Sequence, residues 1–424
     1  MNILFMTNTY LPHVGGVAHS VAAFEAEYRR RGHEVLVIAP EFAGHTDSTP
    51  HVIRVPAIQH FNGSDFSFPV PVPGLLQSAL NEFRPDIVHS HHPFLLGATA
   101  ARIARARQIP LVFTNHTLYE HYTHYVGNET NMLARFITTL TVGYSNLCHA
   151  VIAPSQSVAH ILRERGVETH ISVIPTGIDI QAFAHGDGAA LRSEFQIPAD
   201  AYVVGHVGRL APEKNLPFLA HAVAKYLRQH SHAHFLVVGA GPSDEEIRNI
   251  FALEQVAERL HMIGVCQDQR LIDAYHAMNA FAFASQSETQ GLVLAEAMAA
   301  GLPVVALDGP GVREVVTDEV NGRLLASDRV EDFAAALAWL SGQETLERRN
   351  LQAGALRTAR KLSMLRTADK ALRLYGALIK HQGRRRPAKR STWRAAGKYI
   401  QAEIDYLSVA AKAGVSALQL DEKS

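Results

Sequence analysis

The feature that most constrains this chain is a pattern of short, β-branched apolar runs that alternate with segments of helical spacing, and the pattern occurs twice. The first set of predicted strands lies at residues 2–8, 34–40, 86–91, 110–116, 150–155 and 171–177. The second set lies at 202–209, 234–241, 261–266, 280–285, 303–307 and 323–326. Helical spacing separates several of them, for example at 17–31 and 216–228. Because this alternation is typical of parallel sheets covered by helices on both faces, we predict an α/β protein.

The restart of the pattern predicts two domains. Glycine, proline and polar residues give the region 177–198 the composition of turns. We therefore place the first domain at 1–180 and the second at 181–380, with a long helical stretch at 346–380 closing the second. Residues 381–424 form a separate tail. A length of 424 residues suits two cores better than one.

Charge and composition exclude several classes of protein. The 40 basic and 40 acidic residues balance, so no net field attracts the whole molecule to nucleic acid, and we predict no nucleic-acid partner. The sequence shows neither a signal peptide nor an apolar run long enough to cross a membrane. The two cysteines, Cys148 and Cys266, provide neither a zinc spacing nor a disulfide framework. We therefore expect a cytoplasmic protein.

Glycines and cations follow the first strand of each domain. Gly15 and Gly16 precede a helix, where close backbone approach and free N–H groups favour an anion, although a flexible turn is the alternative. Arg209 ends the predicted strand 202–209 and Lys214 follows it, at the end where open α/β sheets bind ligands. Together they could neutralise a diphosphate. Two solvated loop charges are the alternative.

The most specific pattern runs from residue 285 to 296. The loop leads from a strand into a helix and offers successive N–H groups to a phosphate. Glu288 would repel a bare phosphate but could accept hydrogen bonds from sugar hydroxyls. Glu296 lies inside the helix among apolar neighbours, where a carboxylate is costly unless it has a partner, and it could bind two ribose hydroxyls. Two ordinary helix carboxylates are the alternative.

Histidines end two strands of the first domain. His116 ends one strand, and His91 and His92 end the preceding one, so all three should lie near the ligand edge. A metal triad is one interpretation, and histidines that bond local carbonyls are the more common one. No Asp-x-Asp pair occurs, which argues against a diphosphate held by metal. We predict neither a metal nor another cofactor.

Taken in order, these motifs resemble glycosyltransferase family 4 over roughly residues 1–380. The Glu-x7-Glu pair of Glu288 and Glu296, followed by Ala-x-Ala-x-Gly-x-Pro-Val, is the most specific part. The resemblance implies the GT-B architecture, in which two Rossmann-like domains with parallel sheets face each other across a cleft. It also implies that the second domain holds most of a nucleotide-sugar donor.

The resemblance implies a role for each candidate residue. Arg209 and Lys214 would bind the diphosphate. Glu288 would bind the donor sugar, and Glu296 the ribose. His116 would lie beside the transferred sugar and the acceptor, and we count it as catalytic together with Arg209, Lys214 and Glu288. The remaining donor-binding positions are Gly15, Gly16, Val265, Cys266, Thr289, Gln290, Gly291 and Leu292.

Segments 89–97, 116–125 and 287–292 are similar to those of bacterial diacylglycerol glucosyltransferases. This similarity implies that a hexose, glucose from UDP-glucose, is transferred with retained configuration to a membrane lipid. Three alternatives stay open: a transferase with a soluble or polysaccharide acceptor, a nucleotide-sugar epimerase, and a nucleotide-sugar-binding scaffold at the membrane without activity.

The tail predicts contact with an anionic membrane. Residues 383–398 contain no acidic residue and seven basic ones: Arg384, Arg385, Arg386, Lys389, Arg390, Arg394 and Lys398. From residue 391 the spacing predicts a helix with one apolar stripe: Trp393, Ala396, Ile400, Ile404 and Leu407. This composition suits a headgroup layer, so we expect the protein at the inner face of the cytoplasmic membrane. A solvated terminal helix is the alternative.

Overall fold

The computed structural model describes residues 1–13, 15–45, 49–58, 68–69, 76–118, 130–383 and 392–418. The helices before residue 177 are α1 Gly16–Arg30, α2 Gln77–Phe83, α3 Leu96–Arg107, α4 Thr130–Leu147 and α5 Gln156–Glu164. The strands are β1 Asn2–Met6, β2 Glu34–Pro40, β3 Val52–Val55, β4 Ala57–Ile58, β5 Phe68–Pro69, β6 Ile87–Ser90, β7 Leu111–Thr114, β8 Ala150–Ala153 and β9 Ile171–Val173.

The first sheet is parallel and has the strand order β3-β2-β1-β6-β7-β8-β9. Its six predicted strands are confirmed. The edge strand β3 was not predicted, because three of its four residues are only half-buried and Arg54 interrupts its apolar run. The order places β1, β6 and β7 side by side, so their carboxyl ends share one edge of the sheet.

The second sheet is also parallel, with the order β12-β11-β10-β13-β14-β15. Its strands are β10 Tyr202–Val207, β11 Ala233–Val238, β12 Leu260–Met262, β13 Ala280–Phe283, β14 Val304–Leu307 and β15 Gly322–Leu325, and all six were predicted. The helices are α6 Gly188–Glu194, α7 Leu216–Gln229, α8 Asp244–Leu253, α9 Asp268–His276, α10 Leu292–Ala299, α11 Val330–Ser341 and α12 Thr345–Lys361.

Burial on both faces explains why these strands are apolar throughout. Val203 and Val204 are neighbours in β10, yet they lie in different apolar clusters, one on each side of the sheet. Each is fully buried, which contributes about 1.5–3 kcal/mol per side chain. A strand covered on only one face would alternate between apolar and polar residues instead.

The described chain divides into two compact units, Met1–Gly177 with Leu365–Ser424, and Ile178–Met364. The first therefore includes most of α13, Met364–Gly383, and all of α14, Thr392–Leu418. The sequence-based division had instead assigned residues up to 380 to the second domain, as part of one helical stretch. That stretch is two helices, α12 and α13. Between them, the Leu362 carbonyl accepts a hydrogen bond from the Ile178 nitrogen, and the Met364 nitrogen donates to the Ile178 carbonyl.

The helix α13 groups with the first unit because its apolar face is buried there. Ala368, Ala371 and Tyr375 are fully or almost fully buried. The Tyr375 hydroxyl lies 2.6 Å from Nδ1 of His89 in β6. These contacts make the end of the chain part of the structure around the first sheet.

Candidate active site

The loop after β10 places the two predicted cations differently. Gly208 has a φ of 154° and lets the chain turn out of the sheet. The side chain of Arg209 is 53% exposed, and its Nη2 donates to Oε1 of Glu213 at 2.5 Å. Lys214 ends a short 3-10 turn, Pro212–Lys214, and its side chain is only 19% exposed. Arg209 is therefore a surface cation, whereas Lys214 is held inside the loop.

Lys214 forms an ion pair with Glu288. Its Nζ donates to Glu288 Oε1 at 2.5 Å, and the Glu288 side chain is 16% exposed. The hydroxyls of Ser285 and Ser287 both donate to the carbonyl of Glu213 at 3.2 Å. The loops after the adjacent strands β10 and β13 are thus tied together, and the structure brings these two predicted residues into direct contact.

Glycines shape the start of α10. Gly291 caps this helix with a φ of 69°, and a Cβ there would lie 2.8 Å from Cδ1 of Leu294. Gly311 packs against the same loop, because a Cβ added at this position would lie 2.6 Å from the Gln290 nitrogen. Gln290 is buried. The Leu294 nitrogen donates to the Gly291 carbonyl at 3.0 Å. The first N–H groups of a helix generally lack an intrahelical acceptor, so this end of α10, which begins at Leu292, favours an anion.

Glu296 has the partner that its position requires. The hydroxyl of Tyr275, in α9, donates to its Oε2 at 2.8 Å. Burial raises the pKa of Glu296, and this hydrogen bond partly opposes the effect. Tyr275 was not predicted as a site residue, since its position in α9 gives no sign of a contact with α10.

Further glycines follow β11, and they were not predicted as site residues. A Cβ at Gly239 would lie 1.9 Å from the Gly208 carbonyl oxygen, and one at Gly241 would lie 2.3 Å from that of Leu210. The Gly-Ala-Gly sequence that ends the predicted strand 234–241 was the available signal. Of the two predicted donor-binding positions that follow β12, Val265 is 58% exposed. Cys266 is buried, and burial raises the pKa of its thiol.

In the first unit, the glycine pair begins α1. Gly15 is the N-cap in an extended conformation, and Gly16 is the first helical residue. A Cβ added at Gly16 would meet nothing within 4 Å. The backbone at this helix start is therefore open to close approach by a ligand.

The predicted histidines meet at the carboxyl edge of the first sheet. Nε2 of His116, after β7, lies 2.9 Å from Nδ1 of His91, after β6. His116 is half-buried, and burial lowers its pKa to about 3. His92 accepts a hydrogen bond on Nδ1 from the backbone of Asn8 at 3.1 Å. In the described parts of the chain, no three histidine, cysteine, aspartate or glutamate side chains are grouped to hold a metal ion.

Comparisons with known proteins agree with this arrangement. Residues 14–182 match the family model Glycosyltransferase Family 4, and residues 188–357 match Glycosyl transferases group 1. The alpha-monoglucosyldiacylglycerol synthase of Streptococcus pneumoniae is 28% identical over 348 residues, which cover 80% of this chain and 77% of that protein. The GDP-mannose-dependent alpha-mannosyltransferase of Corynebacterium glutamicum is 28% identical over 347 residues, 80% of each.

The fold has solved counterparts. The structure of Anabaena Alr3699/HepE in complex with UDP-glucose matches with a TM-score of 0.71 at 23% identity, covering 89% of this chain and 99% of that one. Likeness of this kind, together with two parallel α/β sheets, shows the GT-B fold. The two family models and this fold establish that the chain belongs to glycosyltransferase family 4 and is a glycosyltransferase that uses a nucleotide-sugar donor.

Proposed function

We propose that this enzyme transfers a hexose, glucose from UDP-glucose, to a membrane lipid such as diacylglycerol, and that the sugar keeps its anomeric configuration. The observation that carries the proposal is the ion pair of Lys214 and Glu288 beside the start of α10. It combines a cation for a diphosphate, a carboxylate for sugar hydroxyls and a helix terminus for an anion.

The geometry of the pair suits a donor sugar next to its diphosphate. An ammonium group has three N–H donors, so the bond to Glu288 takes one and orients the others. Charge builds on the diphosphate as the glycosidic bond breaks, and preorganised donors stabilise it. We assign this role to Lys214, to Arg209 and to the amides of the loop 289–292. Glu296 would bind the ribose while Tyr275 holds its other oxygen.

A reaction on one face of the sugar fits the neutral His116. The bond between the sugar C1 and the diphosphate oxygen breaks, and the acceptor oxygen bonds to C1 from the same side. The acceptor proton passes to the leaving diphosphate. With a pKa near 3, His116 is too weak a base to take that proton at neutral pH, so it would position the sugar or the acceptor.

The relatives suggest two sugar donors, and the sequence motifs favour one of them. Similarity to a monoglucosyldiacylglycerol synthase and the motifs around 89–97 and 116–125 favour glucose and a lipid acceptor. GDP-mannose is the second candidate, because the mannosyltransferase is equally identical over an equal share of the chain. An epimerase would need no acceptor, so product analysis with donor alone separates it from both.

We also propose that the protein works at the inner face of the cytoplasmic membrane, through its C-terminal region. Among the described residues, no helix is long and apolar enough to cross a membrane. Ala413 of α14 is fully buried, whereas Ile404, Leu407 and Val415 are each more than half exposed. Such an exposed apolar row would suit an interface with lipid. Residues 384–391, with five of the seven basic residues, lie outside the described chain, as do the side chains of Arg394 and Lys398.

A product assay tests the donor and the acceptor. The purified protein is incubated with radiolabelled UDP-glucose, UDP-galactose or GDP-mannose, each with diacylglycerol, with a soluble polyol, or alone. We expect labelled glycolipid from UDP-glucose and diacylglycerol, with an α-linkage by the proton coupling at C1. If GDP-mannose were the only donor that gave product, or if the product were β-linked, the proposal would be contradicted.

Vesicle flotation tests the membrane contact. Replacing Leu407 by Glu should weaken binding to anionic vesicles on the order of tenfold, as the loss of one buried Leu implies. The control is Leu253→Glu, because Leu253 is 81% exposed on α8 of the other unit. Equal binding by the two variants would show that α14 does not face lipid.

A further inference from the structure

Two histidines share one hydrogen bond at the carboxyl edge of the first sheet. His91 and His116 follow the adjacent strands β6 and β7. The atoms His91 Nδ1 and His116 Nε2 are 2.9 Å apart, and the rings stack with centroids 5.2 Å apart. Since a hydrogen bond needs one donor and one acceptor, one ring must carry its proton at this contact and the other must not.

Both rings are neutral. His91 is 1% exposed, and burial together with its neighbours His89, His116 and His92 lowers its pKa well below the usual value. Burial also lowers the pKa of His116. Each ring therefore carries a single proton, and the position of one proton decides the position of the other.

The far side of His91 shows where its proton is. Among the residues that the structure describes, Nε2 of His91 is buried and has no hydrogen-bond partner. A proton on Nε2 would make it a buried, unpaired donor, which is energetically unfavourable. Unpaired buried N–H groups are rarer than under-used acceptors. The geometry therefore favours a proton on Nδ1, which donates to His116.

The ring of His91 is also held from behind. It lies against His89, with ring centroids 4.2 Å apart, and against the edge of Phe5 at 4.9 Å. His89 is fixed at both nitrogens, with Nε2 2.7 Å from Thr114 Oγ1 and Nδ1 2.6 Å from the Tyr375 hydroxyl. His91 thus has little freedom to rotate away from His116.

We propose that His91 is a positioning residue, whose Nδ1–H donates to Nε2 of His116 and fixes His116 as the tautomer that is protonated on Nδ1. In this tautomer His116 carries its single proton on Nδ1, because its Nε2 accepts the hydrogen bond from His91. The role of His116 in transfer rests on the proposed function, whereas the contact and the tautomer do not.

Kinetics of three variants test the positioning role. His91→Phe keeps a planar aromatic ring and removes the hydrogen-bond donor, so kcat should fall about tenfold, the equivalent of one hydrogen bond, while the KM for the sugar donor changes little. His91→Asn places an amide near the position of Nδ1 and should restore most of kcat. The control, Ser90→Ala, loses the buried contact to the Tyr144 hydroxyl at 2.7 Å and should keep kcat.

A double variant shows whether His91 acts through His116. If it does, His91→Phe combined with His116→Ala should be no slower than His116→Ala alone. Multiplied losses in the double variant, or an unchanged kcat in His91→Phe, would overturn the proposal.

A spectroscopic readout keeps the test independent of catalysis. Long-range proton–nitrogen spectra of protein labelled in its 24 histidine rings report the tautomer of each ring, and the His116 signals are those lost in His116→Ala. We expect the Nδ1–H form in the wild type at neutral pH and a mixture in His91→Phe. An Nε2–H or doubly protonated His116 in the wild type overturns the proposal. If the wild type transfers no sugar, the proposed function fails while these spectra still decide the contact.

Discussion

Replacing Lys214 by Ala should separate its catalytic contribution from its structural one. The variant removes a cation whose Nζ lies 2.5 Å from Glu288 Oε1 and leaves that carboxylate 16% exposed without its partner. Loss of a preorganised charge stabiliser costs about 2.7–4 kcal/mol in the transition state, so kcat should fall about 10²–10³-fold. Because the pair is mostly buried, the free energy of unfolding should also fall by about 2 kcal/mol, between the exposed and fully buried cases.

The same unit offers a matched control. Lys225 Nζ lies 2.6 Å from Glu331 Oε1, but the two side chains are 38% and 56% exposed. Lys225→Ala should therefore lower stability by at most about 1 kcal/mol and leave kcat unchanged. Release of UDP from the sugar donor measures kcat, and unfolding in urea measures stability. A Lys214→Ala enzyme with near-normal kcat/KM would show that the diphosphate binds elsewhere.

Three other predictions concern metal, backbone and pH. If side-chain cations and loop amides bind the diphosphate as proposed, transfer should persist in excess EDTA; a strict requirement for Mg²⁺ or Mn²⁺ would contradict this. Gly291→Ala should destabilise by more than about 1–2 kcal/mol, because it adds a clash with Leu294 to the positive φ, whereas Gly301→Ala, with a φ of 80° and open space, should show the backbone cost alone. Burial lowers the pKa of His92 to about 3 and that of His206 to about 4. Below about pH 6.5 the unfolded chain therefore binds protons that the native state does not. As the pH decreases, the free energy of unfolding should fall by up to about 1.4 kcal/mol per pH unit for each such histidine. Urea titrations of the wild type and of His92→Asn at neutral and acid pH should show a shallower loss in the variant, and equal slopes would refute the assignment.

Local patterns predicted the sheets well, because strands buried on both faces leave a continuous apolar run in the sequence. The edge strand β3 has no such run, since its residues are half-exposed. The break between α12 and α13 was also hidden, because Leu362 and Ser363 carry no turn signal and the break depends on a distant partner, Ile178.

The candidate site was predictable in residue types but not in contacts. Position after a strand singled out Lys214 and Glu288, yet 74 residues separate them, and only the adjacency of β10 and β13 brings them together. The pairing of His91 with His116 depends in the same way on the order of β6 and β7. Tyr275 could not be found from the sequence, because its partner lies on another helix.

The backbone hydrogen bonds at Ile178 determine which truncations of the protein leave a complete unit. The nitrogen of Ile178 donates to the Leu362 carbonyl, and the nitrogen of Met364 donates to the Ile178 carbonyl, so the chain enters and leaves the second unit side by side. That unit is topologically an insertion into the first. A stop codon near residue 364 would therefore remove Tyr375 and leave His89 with one bond fewer. Joining Gly177 to Leu365 through a few linker residues should instead yield the first unit with its own sheet and terminal helices complete.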